Sequence, residues 1–172
     1  MINRLVDEVK ICLQNELYMS ALTTVLILPD ICGKAEYPTY GSKRRYVEWL
    51  KNNIDVQLNL ISVEEIYQLR CCMLHQGSPT IKASEDSIDE FELLIQSPNR
   101  ASKTMQAIYQ VESKRILTVN IESICEILCS AAGLYYKNNK DKFNFINYHL
   151  VNTDYRTAKM FRLSKDFVKV KL

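Results

Sequence analysis

Apolar residues recur at Ile2, Leu5, Val6, Val9, Cys12 and Leu13. This is the i, i+3, i+4, i+7 pattern of an amphipathic helix. A second run begins near Glu16 and carries Tyr18, Ala21, Leu22, Val25 and Leu26. Pro29, which has no N–H to donate, kinks or ends it. The pattern predicts helix over about 2–28. Gly33, Pro38 and Gly41 then read as a loop. Ser42 is placed to cap a helix over about 43–53, with Tyr46, Val47, Trp49 and Leu50 as its apolar side. Ser62 and Glu65 stand at capping-box spacing at the head of a helix over about 63–76. Ile66, Leu69, Met73 and the pair Cys71–Cys72 supply its apolar surface. Gly77 is a natural stop, and Pro79 blocks continuation.

The middle of the chain changes character. Phe91 to Gln96, Met105 to Val111 and Arg115 to Val119 read as strands, the first two separated by Ser97-Pro98-Asn99-Arg100. They predict a small antiparallel insertion, with strands confined mainly to 90–119. Asn120 then caps a helix over about 121–140, in which Ile121, Ile124, Cys125, Leu128, Ala131, Ala132 and Tyr135 keep helical spacing. Asn144 to Val151 can form a further strand. The fold class is mainly α with a small β element, in one domain over 1–155.

Composition agrees with a globular chain: 172 residues, 47% hydrophobic and 24% charged, with only four glycines and four prolines. That length buries a core without disulfide or metal staples. The longest nearly apolar stretch, Ala21 to Leu28, is too short to span a bilayer. Arg4, Asp7, Glu8 and Lys10 interrupt any signal-peptide core. The expectation is a cytoplasmic protein with no membrane partner. Its six cysteines form no CxxC pair and no zinc-finger spacing with a histidine, so they read as buried, reduced thiols, and no metal or cofactor is expected. The net charge of +2 is uneven. From Arg156 to Leu172 there are six basic residues and one acid, so the remainder carries net −3. This basic tail, 156–172, is suited to contact the phosphates of RNA.

The chain has two histidines. His75 closes the run Arg70-Cys71-Cys72-Met73-Leu74-His75, and His149 belongs to no motif. Arg70 provides a permanently charged fork for phosphate oxygens; His75 takes or gives a proton near neutral pH. Together they suit RNA cleavage by the adjacent 2′-hydroxyl, which needs a base, an acid and a cation for the charged phosphorane. On an ideal helix, five steps leave two side chains about 140° apart. The pair therefore converges only through long side chains or a distorted last turn.

Arg-x4-His near the end of a helix, preceded by Tyr67-Gln68-Leu69 and followed by Gln76-Gly77-Ser78-Pro79, resembles the HEPN superfamily. Ala21-Leu22-Thr23-Thr24 and the string Leu28-Pro29-Asp30-Ile31-Cys32-Gly33-Lys34-Ala35-Glu36-Tyr37-Pro38 look like one bacterial branch of it. The resemblance covers residues 1–80. It implies a HEPN-like helical bundle that dimerises so that two motifs meet in a cleft. It also implies a metal-independent ribonuclease of toxin–antitoxin or abortive-infection type with an antitoxin or other protein partner. Arg70 and His75 would be its catalytic pair. The alternative is a non-catalytic module binding nucleotide, RNA or protein. Many active members carry a polar residue where Cys71 follows the motif arginine. One toxin branch has Tyr where Gly77 stands. Around the pair, Lys34, Lys43, Arg44 and Tyr37 are candidates for substrate binding; Asp30, Glu36, Cys71 and Gln76 are candidates for support. Tyr40 and Tyr46 are further candidates for stacking bases.

Overall fold

The computed structural model describes residues 1–54, 61–77, 80, 88–95 and 106–145. The basic tail, His149 and most of the proposed strand 144–151 lie outside them; Asn144 and Phe145 form a turn. The described chain is mainly helical, with a small three-stranded sheet.

The helix expected over 2–28 is two helices and the start of a third: α1 (Ile2–Gln14), α2 (Tyr18–Val25) and α3 (Leu28–Glu36). α1 ends where Glu16 turns left-handed, at φ +58. Leu17 N–H then reaches back to the Cys12 carbonyl, and Glu16 N–H to that of Leu13. This reciprocal pair is a Schellman ending, which normally recruits glycine. A glutamate holds the position here, so no glycine or proline marks the break, which shows in the sequence only as the start of the second apolar run near Glu16. Pro29 does not stop the chain for long. It lies in the first turn of α3, where its missing N–H costs nothing.

The stretch read as a loop around Gly33 is therefore helical. Gly33 is buried within α3 against α4 (Ser42–Asn53). A Cβ at Gly33 would lie 2.7 Å from the Arg45 carbonyl oxygen. The glycine is there for close helix approach, not for a turn. Ser42 does not cap α4; Gly41 takes that place, and Ser42 is the first helical residue. The capping box on α5 (Val63–Cys71) is as expected: Ser62 and Glu65 exchange bonds of 2.6 and 3.1 Å.

The strands are β1 (Glu90–Leu94), β2 (Gln106–Val111) and β3 (Lys114–Asn120), in the order β1-β3-β2. Only β2 and β3 are antiparallel, joined by a tight turn at Glu112–Ser113. β1 pairs in parallel with the other side of β3, so the sheet is mixed rather than antiparallel. A two-residue turn forces antiparallel pairing on the strands it joins, whereas the long connection after β1 leaves that strand free to take the far edge. As central strand, β3 buries Leu117 to Asn120. It runs directly into α6 (Ile121–Asn138), whose N-terminus is capped by Asn120 accepting from Ser123 N–H at 2.8 Å.

α6 is the axis of the core. It packs on α1, α2 and α3, while α4 joins α3 to α5. Ile124, Cys125, Leu128 and Ala132 meet Leu22, Val25 and Leu28 in one buried cluster with Trp49 and Ile66. Trp49 meets Tyr135 of α6 edge-on at 5.6 Å. Four of the six cysteines (Cys32, Cys72, Cys125, Cys129) are buried, and all six are free thiols.

Gly33 tests the packing of α3 on α4, and Gly133 of α6 serves as its control. Gly33→Ala places a methyl against backbone that cannot rotate away and is expected to cost about 1–3 kcal/mol, read as a lowered denaturation midpoint. Gly133→Ala lies in mid-helix with no atom within 4 Å of the new Cβ. It is expected to raise stability by about 0.5–1 kcal/mol. Equal effects at both sites would mean that α3 and α4 are not in close contact at Gly33.

Candidate functional site

The end of α5 is where the chain departs most from ideal geometry. After Cys71 the helix widens into a π-helical turn, Cys72–Gln76. Gly77 N–H bonds to the Cys72 carbonyl at 3.0 Å, an i→i+5 bond. Gly77 then ends the helix at φ +60, as its position suggested. π-turns inside α-helices are rare and are enriched at functional sites. Here the wider turn brings a residue five positions on back beneath its predecessor. His75 Nε2 lies 2.8 Å from Arg70 Nη1. The distorted last turn that the Arg-x4-His spacing requires is therefore present.

Arg70 is held from the other side by Asp30 in the first turn of α3. Both Nε and Nη2 donate to Asp30 Oδ2, at 2.9 and 2.7 Å. Both partners are well covered, with side-chain exposures of 15% and 14%. Burial alone disfavours the guanidinium charge, but the Asp30 carboxylate, with a smaller contribution from Cys71, offsets it and leaves Arg70 more firmly protonated than a free arginine. Asp30 Oδ1 is buried with no hydrogen-bond partner among the described residues, so its pairing is concentrated on Oδ2. The result is a chain of three groups: Asp30, a clamped Arg70 and an exposed His75.

Guanidinium is a donor only. In the Arg70–His75 bond, Nε2 must therefore accept, and the ring proton of a neutral imidazole sits on Nδ1. Protonation of Nε2 breaks this bond.

Aromatic rings wall the trio. Tyr67, one turn before Arg70, has its ring centre 5.9 Å from both the Arg70 guanidinium and Lys43 Nζ. Tyr46 meets Tyr67 edge-on at 5.3 Å and donates its hydroxyl to the Leu26 carbonyl at 3.2 Å. Burial, reinforced by Asp30, pushes the Tyr46 phenol far above its ordinary pKa. The Cys71 thiol interacts with both Tyr67 and Arg70. Behind the π-turn lies a largely apolar cavity of about 430 Å³, lined by Met19, Leu69, Cys72, Met73, Phe91 and Leu93 among others. Arg70 and His75 do not line it, so cavity and polar trio occupy different sides of the same turn.

The other candidates divide. Asp30 and Cys71 join the pair. Lys34 instead reaches the Pro38 carbonyl at 3.1 Å. Glu36 faces the end of α6 and the turn that follows it: Tyr135 of α6 and Lys142 of the Lys140–Phe143 turn both donate to its Oε2, the latter at 2.6 Å. Gln76 turns back, accepting from the Cys72 thiol at 3.8 Å. Lys43 stands over Tyr67, and Arg44 lies 3.9 Å above the ring of Tyr40, which stacks on Tyr37 at 5.1 Å. Sequence reasoning did not single out Tyr67, although a residue three positions before Arg70 on a helix is its surface neighbour. Among the described residues no three His, Cys, Asp or Glu gather as a metal site, and no helix is long and apolar enough to cross a membrane.

Compared with known proteins, the chain matches no family model, no curated protein and no solved structure.

The Glu36 cluster has a pH signature of its own. The Lys142 ammonium and then the Tyr135 hydroxyl hold its carboxyl below the usual glutamate range. A carboxyl depressed by folding stabilises the native state above its unfolded pKa, and that contribution disappears as pH falls through the lower folded value. Glu36→Gln is expected to lower the unfolding midpoint at neutral pH. The gap to wild type should close in acid, over the range from the ordinary glutamate value downward. A pH-independent gap in urea titrations would show that the ion pair is not the cause.

Proposed function

We propose that this chain is a metal-independent endoribonuclease of HEPN type, acting as a homodimer and using Arg70 and His75. The observation that carries the reading is the 2.8 Å approach of Arg70 Nη1 to His75 Nε2, made possible by the π-turn. A donor-only cation and a proton-accepting imidazole are thereby held together at an exposed helix end. Asp30 fixes the guanidinium, leaving Nη1 as the group that a phosphate oxygen would take over from His75.

The chemistry balances without a cofactor. His75 Nε2 accepts the proton of the 2′-hydroxyl as its oxygen attacks phosphorus. Arg70 Nη1 hydrogen-bonds the charge that develops on the phosphorane oxygens. The P–O5′ bond breaks, and the leaving oxygen takes a proton from an imidazolium on the opposite side. One histidine cannot serve both sides at once, so the acid is His75 of the partner subunit. The products are a 2′,3′-cyclic phosphate and a 5′-hydroxyl. Such an activity in the cytoplasm suits a toxin or phage-defence component restrained by an antitoxin or other protein.

One observation favours a second reading. Arg70 already commits all three of its nitrogens to Asp30 and His75, and its side chain is only 15% exposed. A trio bonded to itself in this way also fits a non-catalytic module in which it braces the end of α5.

Cleavage decides between them. Purified wild type is expected to cut mixed RNAs in excess chelator, leaving cyclic phosphate ends. His75→Ala and Arg70→Ala should each lower the rate by about 10²-fold or more. Asp30→Asn should retain part of the activity while losing stability, because it leaves a covered guanidinium without a counter-charge. Full cleavage by His75→Ala removes the proposed base. Absence of cleavage by wild type, with RNA binding intact, selects the binding module.

A further inference from the structure

At the head of α4 the chain builds a layered stack. Tyr37 and Tyr40 lie parallel, 8° from coplanar with centroids 5.1 Å apart. The Arg44 guanidinium lies over the Tyr40 ring, 3.9 Å from its centroid. Asn52 pins the bottom layer by donating to the Tyr37 hydroxyl at 2.9 Å. Pro38, Thr39, Gly41, Ser42 and Lys43 around it are all exposed.

The behaviour of Arg44 is informative. Glu48 is four residues on, the usual distance for a helical ion pair. Arg44 forms no hydrogen bond or ion pair with it or with any other described residue. It turns back over Tyr40 instead. The Tyr40 ring lies against the guanidinium, and its N–H groups meet no hydrogen-bond acceptor among the described residues. Lys43, next in sequence, likewise has no carboxylate of a described residue within ion-pair distance, although its charge helps to lower the Glu64 carboxyl; its ring partner is Tyr67. Tyr67 is in turn shared with Arg70. A cation that holds its plane on an aromatic ring while spending none of its donors is a surface prepared for a flat, polar ligand.

We propose that Tyr37, Tyr40 and Arg44 form a stacking subsite for an unpaired nucleobase of single-stranded RNA, with Lys43 holding an adjacent phosphate. The base adds a layer on the open face of the Arg44 guanidinium, as unstacked bases do on arginine planes. The two tyrosines keep that plane fixed. Stacking of this kind tolerates any base and requires a single strand, because a duplex already buries its base faces. The choice of RNA as polymer rests on the ribonuclease reading of Arg70 and His75; the stacking itself does not. Through Tyr67, the Lys43 phosphate position neighbours the reactive trio, so the subsite would hold a nucleotide beside the one being cut.

The test uses the full chain carrying His75→Ala, so that no strand is cut, and short fluorescent oligoadenylate RNA in chelator. A strand of the same length and charge with abasic residues serves as comparison. The oligoadenylate is expected to bind at least several-fold more tightly than the abasic strand. Tyr40→Leu should weaken oligoadenylate binding by roughly five- to a hundredfold, with an unchanged salt slope and little effect on the abasic strand. Arg44→Lys keeps the charge and loses the plane, so it should weaken oligoadenylate binding in the same way. Melting curves confirm that each variant is folded. Equal affinity for both strands, an Arg44→Lys protein that binds like its parent, or no binding of oligoadenylate would each overturn the subsite. Failure of wild type to cleave, with the base preference intact, would instead overturn the ribonuclease reading and leave the subsite standing.

Discussion

A guanidinium covered to 15% exposure must have a counter-charge, and that requirement organises one side of this protein. Arg70 finds it in Asp30, forty residues earlier, across the gap between α5 and α3. Asp30 is available because the chain re-forms a helix at Leu28 rather than ending at Pro29. In the first turn of α3 its negative charge also meets the positive end of the helix. The pair couples two helices that otherwise communicate through α4. With Nε and Nη2 both bonded to one carboxylate oxygen, the guanidinium is oriented so that Nη1 meets His75 at the end of α5. The site follows from that orientation. Breaking such a pair from one side is costly even where replacing both members would not be.

The π-turn supplies the second half of the geometry. Cys72 is buried against the core, so the turn cannot simply unwind outward. Gly77 can adopt the left-handed conformation that ends the turn, and its N–H closes the wide ring on Cys72. His75 is exposed, but its backbone lies between a core anchor and a cap. The imidazole is therefore presented to solvent by a hydrogen-bonded helical turn rather than a loop. The apolar cavity behind the same turn leaves its inner face loosely filled.

Signals that act within a few residues were legible in the sequence: the Ser62–Glu65 capping box, the Asn120 cap, the Gly77 stop and the amphipathic helices. What escaped depends on contacts made far along the chain or on an uncommon residue doing a common job. Glu16 ends α1 in a conformation usually left to glycine, and Gly33, read as a loop residue, is a helix contact. The strands were visible, but the parallel place of β1 was not, because a long connection carries no pairing rule. For the site, the spacing of Arg70 and His75 stated the problem, a separation of about 140° on an ideal helix, without stating the π-turn that solves it. Asp30, Lys34 and Glu36 were all candidates for the neighbourhood of Arg70 and His75. On a helix, six residues turn through about 600°, so Glu36 faces away from Asp30 and meets α6 instead.

The hydrogen bond within the trio bears on how the proposed chemistry would be divided. Arg70 can hold His75 only while Nε2 is unprotonated, which is the form a general base requires. The same bond keeps the base beside the cation until a phosphate displaces it. Within one chain, clamp and base are thus a single unit in one protonation state. The protonated imidazole needed for the leaving oxygen cannot be the one bonded to Arg70. It must come from a histidine outside that hydrogen bond, and His149 lies outside the described residues and belongs to no motif. A second copy of the Arg70–His75 unit, its imidazole released and protonated, meets the requirement with residues already present. On the ribonuclease reading, then, dimerisation is a consequence of proton bookkeeping at this site.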